Sequence, residues 1–274
     1  MSEEYTDSGK PLVIGSPDEL MCVSTRRNFV RMLGAGGAVV MMPSIFGACA
    51  MSPLPGAMGG GALMFDLRSD VGIIRLVHTL EQLEAAFYTA VVALPNFASF
   101  FNGAERELFV DLRNVEIVHR EFLRTALGSA AVPDVTGSIN GATLNTILSS
   151  RENILGASRL FEHLGVSGLN GAAKYLQDAR NLLFAGKAVS AEARHAAALR
   201  DIAPPPGQNA NTAFAGNDIT DKNGMDVKLE AGAVLDRVAS THIVNDGVVS
   251  SRNISYAPTA TQGKASADFF PPTP

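Results

Sequence analysis

The sequence predicts an all-α protein: an antiparallel four-helix bundle with a long crossover, followed by an irregular C-terminal extension. Three observations lead to this prediction. Residues 66–202 are rich in Ala, Leu, Val, Arg and Glu, with apolar residues at helical spacing. Proline and glycine interrupt the pattern at intervals of about one long helix, and no β-hairpin signal occurs within it. One of the connections is long enough to run the length of a helix.

The predicted helices cover roughly 68–93, 104–126, 142–164 and 183–201, with a shorter one at 169–179. Breaks are expected at Pro95, at Pro133, at Gly165 and at the Pro204–Gly207 run. Four helices of about 20 residues each are typical of a four-helix bundle. The bundle is therefore assigned to residues 66–202, and residues 203–274 form the extension.

The connection at about 128–142 decides the topology of the bundle. Fifteen extended residues reach roughly 50 Å, whereas a helix of 24 residues is about 36 Å long. This connection can therefore join two antiparallel hairpins from opposite ends of the bundle. In the extension, a helix is expected at about 226–240 and a Val-rich stretch follows at 243–249.

Composition excludes several classes of protein. With 46% hydrophobic and 18% charged residues in 274, the chain can bury a large core and is not disordered throughout. A net charge of −5, without a cluster of Lys and Arg, argues against nucleic acid as a partner. The two cysteines, Cys22 and Cys49, lie in the first fifth of the chain, so no disulfide framework holds the rest together.

The first fifty residues are predicted to be a signal for export. Arg26 and Arg27 precede an uncharged run at 32–50, with Phe29 two positions after the arginine pair. This pattern resembles a twin-arginine (Tat) signal, which predicts a periplasmic or cell-envelope location and the Tat translocase as a partner during export. The acidic residues before Met21 are untypical of such a signal, which favours Met21 as the true start.

Cys49 ends a segment, Phe46–Cys49, that resembles a lipoprotein cleavage box. Lipidation at Cys49 and ordinary cleavage near Ala48 or Ala50 remain alternatives. Residues 51–65 are rich in Pro and Gly and are predicted to be a flexible linker. Contact with the membrane is then expected only through the signal or a lipid anchor.

Two histidines stand three residues after a glutamate: His119 after Glu116, and His195 after Glu192. At this spacing on a helix, a carboxylate and an imidazole project from the same face, where both can reach one metal ion. The helix before each pair carries further glutamates with apolar neighbours, Glu81 and Glu84 in the first hairpin and Glu162 in the second. Convergence of four carboxylates and two imidazoles suits a pair of divalent cations, and without cations the carboxylates would repel one another.

Four ordered segments carry a resemblance to a known family. The segments LEQLEAAFY at 80–88, EIVHREFL at 116–123, FEHLGVSGLNGAA at 161–173 and SAEARHAAALRDI at 190–202 resemble the helix signatures of the ferritin-like superfamily. The most similar branch is that of exported ferritin-like proteins, which includes desiccation-related proteins. The resemblance implies a dinuclear iron or manganese site whose ligands are Glu81, Glu116, His119, Glu162, Glu192 and His195.

The resemblance also bears on neighbouring residues. Tyr88 follows Glu81 by seven residues, a spacing at which such proteins often have a tyrosine beside the metals. This spacing favours Glu81 over Glu84 as the ligand. The resemblance also implies a catalytic role for Tyr88. Leu169 stands where relatives tend to carry a second tyrosine. Glu84, His78 and His163 remain candidates either for metal binding or for hydrogen bonding to the ligands. Other charged residues of the bundle are expected on solvated faces or in weak surface ion pairs: Glu121, Glu152, Arg194 and Arg200.

Two functions follow from these expectations. The first is metal-dependent oxidation at two metal ions, with iron favoured over manganese and with Fe(II), O2 or peroxide as reactants, which would make the protein an oxidase or a peroxide-consuming enzyme. The second is a non-enzymatic stress or desiccation-related envelope protein, with a structural metal or none. The oligomeric state is left open by the sequence.

Overall fold

The computed structural model describes residues 63–258, and the predictions for Arg26, Arg27 and Cys49 and for the end of the tail lie outside this range. Within it, eight α-helices and one small sheet occur. The elements are β1 (Phe65–Asp66), α1 (Asp70–Val92), α2 (Phe97–Phe100), α3 (Gly103–Leu127), α4 (Gly141–Ile147), α5 (Arg151–Ala173), α6 (Ala179–Ile202), α7 (Ala210–Ala213), α8 (Ala231–Ser240) and β2 (Ile254–Tyr256).

The four long helices α1, α3, α5 and α6 form the predicted bundle of two hairpins. Each begins at a side-chain cap that satisfies free backbone N–H groups. Ser69 caps α1, Ser150 caps α5 and Asp178 caps α6, while Asn102 and Glu105 form a reciprocal capping box on α3. These polar residues thus define the start of every long helix.

Contacts between helix starts define the topology. Arg151 forms an ion pair with Glu105, which places the start of α5 beside the start of α3. The Asp70 carboxylate accepts hydrogen bonds from the backbone N–H of Gln177 and Asp178, which places the start of α6 beside the start of α1. The two hairpins are therefore joined from opposite ends of the bundle, as a long crossover requires.

The crossover between α3 and α4 runs along α1. The Gln82 side chain fixes it at two points, donating from Nε2 to the Pro133 carbonyl at 3.3 Å and accepting at Oε1 from the Val135 N–H at 3.0 Å. Val132 and Val135 are buried against the core. A connection held by hydrogen bonds and apolar contacts thus covers one face of the bundle.

The third long helix differs from its prediction. A helix at 142–164 that ends at Gly165 is wrong, as is a separate helix at 169–179: α4 ends at Ile147, and α5 continues to Ala173. Gly165, Gly168 and Gly171 lie inside α5, where the absence of side chains admits neighbouring residues closely. A Cβ at Gly171 would lie 1.8 Å from the Leu229 carbonyl oxygen of the extension. Close packing, rather than helix termination, accounts for these glycines.

The C-terminal extension packs on the bundle over its described length. Its helix, predicted at 226–240, covers Ala231–Ser240 and contacts α5 through Val234 and its neighbours. Strand β2 pairs in parallel with β1, so Phe65, assigned to the flexible linker by the sequence, is fully buried beside Ile254. The linker assignment is therefore wrong at its C-terminal end.

The position of Arg200 differs from the prediction of a solvated face or a weak surface ion pair. This arginine is 5% exposed and not on a solvated face, and its guanidinium donates to both carboxylate oxygens of Asp218, at 2.7 and 2.9 Å, and to the Ala213 carbonyl. Bidentate pairing of this kind satisfies a buried guanidinium. It joins α6 to the extension.

Among residues 63–258, no helix combines the length and apolar content that crossing a bilayer requires.

Candidate metal centre

Six side chains from the four long helices meet in the centre of the bundle. The carboxylates of Glu116 and Glu162 are fully buried, Glu192 is 1% exposed and Glu81 is 3% exposed. The two histidines stand at the edge of this group, and each presents its Nδ1 atom to the carboxylates. The helices that supply these six residues are α1 for Glu81, α3 for Glu116 and His119, α5 for Glu162, and α6 for Glu192 and His195.

Distances divide the six residues into two overlapping groups. His119 Nδ1 lies 3.3 Å from Glu81, 3.2 Å from Glu116 and 3.1 Å from Glu192. His195 Nδ1 lies 3.1 Å from Glu116, 3.1 Å from Glu162 and 3.9 Å from Glu192. In each group, one potential ligand atom from every member falls within 4.8 Å of all the others.

Glu116 and Glu192 belong to both groups. Each comes from a different hairpin, and each reaches the histidine of the opposite hairpin with one of its oxygens. Glu81 with His119, and Glu162 with His195, belong to one group each. Two shared carboxylates between two sets of terminal ligands are the arrangement that bridges a pair of metal ions in helical bundles.

Several buried oxygens of this centre have no hydrogen-bond partner within residues 63–258. They are Glu81 Oε2, Glu116 Oε1 and both oxygens of Glu192. One imidazole nitrogen carries at most one proton, so it cannot donate a full hydrogen bond to each of the three oxygens around it. Two divalent cations would supply four positive charges against four carboxylates and would coordinate these oxygens. The donor set present therefore fits a pair of hard or borderline metal ions.

The electrostatics of the centre are those of crowded buried carboxylates. Burial raises the pKa of Glu81 to about 7, although the nearby His119 opposes the change. Burial, with the charge of Glu192, also raises the pKa of Glu162 well above its usual range. Burial alone would lower the pKa values of the histidines, but the carboxylates outweigh it: the pKa of His195 rises to about 10, and that of His119 also rises strongly. Each histidine thus stands in a field that strongly favours a positive charge.

Tyr88 is fully buried and lies beside the second group. Its hydroxyl donates a hydrogen bond of 2.5 Å to Glu162 Oε1, which leaves Glu162 Oε2 directed at His195. Burial and the charge of Glu162 raise the pKa of Tyr88 well above its ordinary value, so the phenol keeps its proton. Tyr88 therefore orients one of the carboxylates through a neutral donor.

The three further candidates lie outside both groups. Glu84, buried one helical turn after Glu81, has a pKa raised by burial and by the charge of Glu192. His78 is 1% exposed, and its Nδ1 has no hydrogen-bond partner in the part of the chain that the structure describes. Burial lowers the pKa of His163, and the charges that act on it most are those of Arg200, Arg237, Asp218 and Asp226 rather than the central carboxylates. Glu84 therefore lies within the electrostatic field of the central carboxylates, but none of the three candidates belongs to either group of convergent ligand atoms among the described residues.

Sequence reasoning missed Gly165, which forms one wall of the centre. A Cβ at this position would lie 3.0 Å from Glu192 Oε2 and 3.5 Å from its Cδ and Cγ atoms. Glycine thus makes room for the shared carboxylate. The signal in the sequence was its position three residues after Glu162, on the same face of α5.

A helical bundle around buried Glu and His groups compatible with metal binding defines the class of protein. Residues 69–204 match the family model of the ferritin-like domain, so this part of the chain belongs to the ferritin-like superfamily. Searches of curated proteins and of solved structures returned no match to the chain.

Proposed function

We propose that this is an exported ferritin-like protein whose buried centre holds two iron or manganese ions, with iron favoured. It acts in metal-dependent oxidation, on Fe(II) with O2 or on peroxide, or in protection against oxidative stress. The observation that carries the proposal is that Glu116 and Glu192 belong to both groups of potential ligands. Buried oxygens of these groups have no hydrogen-bond partner among the described residues.

The ligands would divide as the distances indicate. Glu81 and His119 would hold one ion, Glu162 and His195 the other, and the two shared glutamates would bridge the pair. Bound iron or manganese would supply redox electrons and Lewis acidity. In the chain itself, the Tyr88 hydroxyl orients Glu162. The bundle excludes water from the centre, where three of the four glutamates are at most 1% exposed.

Export is supported by the residues before the bundle. The Arg26–Arg27 pair, Phe29 and the apolar run at 32–50 resemble a Tat signal, and the Tat pathway carries folded proteins, which would permit metal loading before export. The helix signatures support placement in the branch with desiccation-related proteins. The partners proposed are therefore metal ions, O2 or peroxide, and the Tat translocase.

Metal stoichiometry tests the proposal directly. We expect about two transition-metal ions per chain by elemental analysis of protein loaded anaerobically with Fe(II), because two sets of terminal ligands share two bridging carboxylates. A content below about half an ion per chain after loading would contradict a dinuclear site.

A pair of histidine variants tests the assignment of ligands. His195→Ala removes the nitrogen ligand of one group, so the metal content should fall to about one ion per chain while the helical circular dichroism is kept. His163→Ala, at a half-buried position of α5 outside both ligand groups, serves as the matched control and should keep the wild-type content. Equal metal contents in the two variants would show that the ligand face is assigned incorrectly.

A second candidate function is a non-enzymatic stress or desiccation-related envelope protein. It is favoured by the contacts of His119 and His195 with carboxylates, since two protonated imidazoles would neutralise part of the charge without metal. Thermal melting of the metal-free protein separates the candidates. An unchanged midpoint on metal loading, together with no consumption of O2 or peroxide by the loaded protein, would favour the second.

A further inference from the structure

A cavity lies next to the candidate metal centre, between α1, α5 and the extension helix α8. Its volume is about 50 Å³. Glu81 and Glu84 belong to its lining, so the cavity adjoins a terminal ligand of the first group. The space is therefore placed where a small molecule could meet the centre without passing through the bundle core.

The lining of the cavity is apolar almost throughout. Leu80, Leu164 and Leu169 lie along it, and Gly165 and Gly168 widen it by having no side chains. Apart from the two glutamates and Tyr175, every described residue of its lining is apolar or glycine. A cavity with so few polar partners favours an uncharged apolar occupant, because a polar one would lose hydrogen bonds to water.

The extension forms the outer wall of this cavity. Ala231 and Val234 of α8 line it from the side opposite α1. A Cβ on Gly168 would lie 3.3 Å from Val234 Cγ2, so helix α8 rests directly on the glycine face of α5. The Lys174–Glu230 ion pair holds the start of α8 against the end of α5. The extension thus shapes the cavity as well as covering the bundle.

We propose that this cavity binds a small uncharged apolar molecule of the size of dioxygen beside the metal centre. Its volume exceeds the roughly 10–15 Å³ that a cavity needs to hold one water-sized molecule, so a molecule as small as dioxygen fits. Apart from Glu81, Glu84 and Tyr175, the lining offers hydrogen peroxide no side-chain hydrogen-bond partner, so the cavity favours dioxygen over peroxide as the oxidant. This choice of oxidant rests on the proposed function, whereas the binding of an apolar molecule does not.

Xenon is the probe for the cavity, since it is apolar and needs no metal. In metal-free crystals of the wild-type protein under xenon pressure, we expect a xenon site between Leu164 and Ala231. Ala231→Leu should abolish this site by filling the cavity from the extension side. Ala233→Leu, on the exposed face of the same helix, is the matched control and should keep it.

If Ala231→Leu does not fold, Val77→Phe serves as the second variant, because it fills the cavity from α1 and should also abolish the xenon site. Absence of xenon from the wild-type cavity would overturn the proposal, and so would full xenon occupancy in a folded filled variant.

The choice of oxidant is tested on iron-loaded protein. With metal content unchanged, Ala231→Leu should raise the KM for O2 several-fold and leave peroxide-dependent oxidation as it was. An unchanged KM for O2 would overturn the assignment of dioxygen. A protein that binds no iron would contradict the proposed function and leave the xenon result to stand independently.

Discussion

Gly165 is a residue whose missing side chain bears on the candidate metal centre. A methyl group there would lie 3.0 Å from Glu192 Oε2, which is closer than a carbon and a carboxylate oxygen normally pack. Gly165→Ala should therefore push the Glu192 carboxylate by a few tenths of an ångström. Since Glu192 belongs to both ligand groups, we expect Fe(II) affinity to fall several-fold, measured by equilibrium titration under anaerobic conditions.

Gly156→Ala is the matched control on the same helix. The nearest atom to a Cβ there is Arg159 Nη2 at 4.0 Å, so this variant should bind metal normally and gain about 1 kcal/mol of stability from helix propensity. Equal stabilisation and equal metal affinity in both glycine variants would show that Glu192 does not need the space.

His78 predicts a specific dependence of stability on acid. Burial lowers its pKa from 6.5 in a solvated histidine to about 4, against the opposing charge of Glu121 and with a smaller contribution from nearby arginines. In the unfolded chain, His78 therefore becomes protonated below pH 6.5, whereas in the folded protein it stays neutral until about pH 4. This residue contributes stability above pH 6.5 that is progressively lost as the pH falls to 4.

His78→Leu removes this proton uptake. Between pH 7 and pH 4.5, we expect the free energy of unfolding of the variant to drop by about 2 kcal/mol less than that of the wild type, measured by urea denaturation. His242→Asn is the control: its side chain is 69% exposed, and asparagine tolerates its positive φ of 54°. A parallel pH dependence in wild type and His78→Leu would refute the role of His78.

Helix α5 shows how an element can be misjudged from its composition. Glycine lowers intrinsic helix propensity by about 1 kcal/mol relative to alanine, which favoured a break at Gly165. Instead, α5 runs from the Ser150 cap to Ala173 and presents its glycines to α6 and the extension. The packing of neighbours that only glycine permits outweighs the local cost.

Arg200 links α6 to the extension, and its removal should loosen that link. Arg200→Met leaves Asp218 without its bidentate partner and the Ala213 carbonyl without its donor. We expect a loss of about 2 kcal/mol in the free energy of unfolding and faster limited proteolysis between residues 203 and 230.

Arg194→Met on the same helix is the control, because Arg194 is exposed and donates a hydrogen bond of 2.9 Å to Ser190. It should change stability by less than about 0.5 kcal/mol. Similar losses in the two arginine variants would show that the buried contacts of Arg200 add nothing.

At the scale of the whole protein, the proposed route of export can be tested independently of the bundle. Changing Arg26 and Arg27 together to Lys should leave the protein in the cytoplasm with its leader attached, because the Tat pathway requires the arginine pair. Cell fractionation and mass spectrometry measure both outcomes. Arrival of the double variant in the envelope would contradict the Tat assignment.

The sequence by itself determined the helical class, the crossover topology and the six candidate ligands, because these depend on local patterns. Helical spacing, the length of the connection at 128–142 and the three-residue step from Glu116 to His119 can all be read within one segment. The structure brings ligand atoms of those six residues together in two groups, and Glu84, His78 and His163 are not members of either group.

Only the tertiary structure decided that Glu116 and Glu192 reach across hairpins, that Gly165 makes room for Glu192 and that Arg200 is buried. It alone also decided that the extension forms a wall of the cavity beside the centre. Each of these features depends on distances between residues far apart in the chain. Such distances follow from how the helices and the extension pack, which no local pattern encodes.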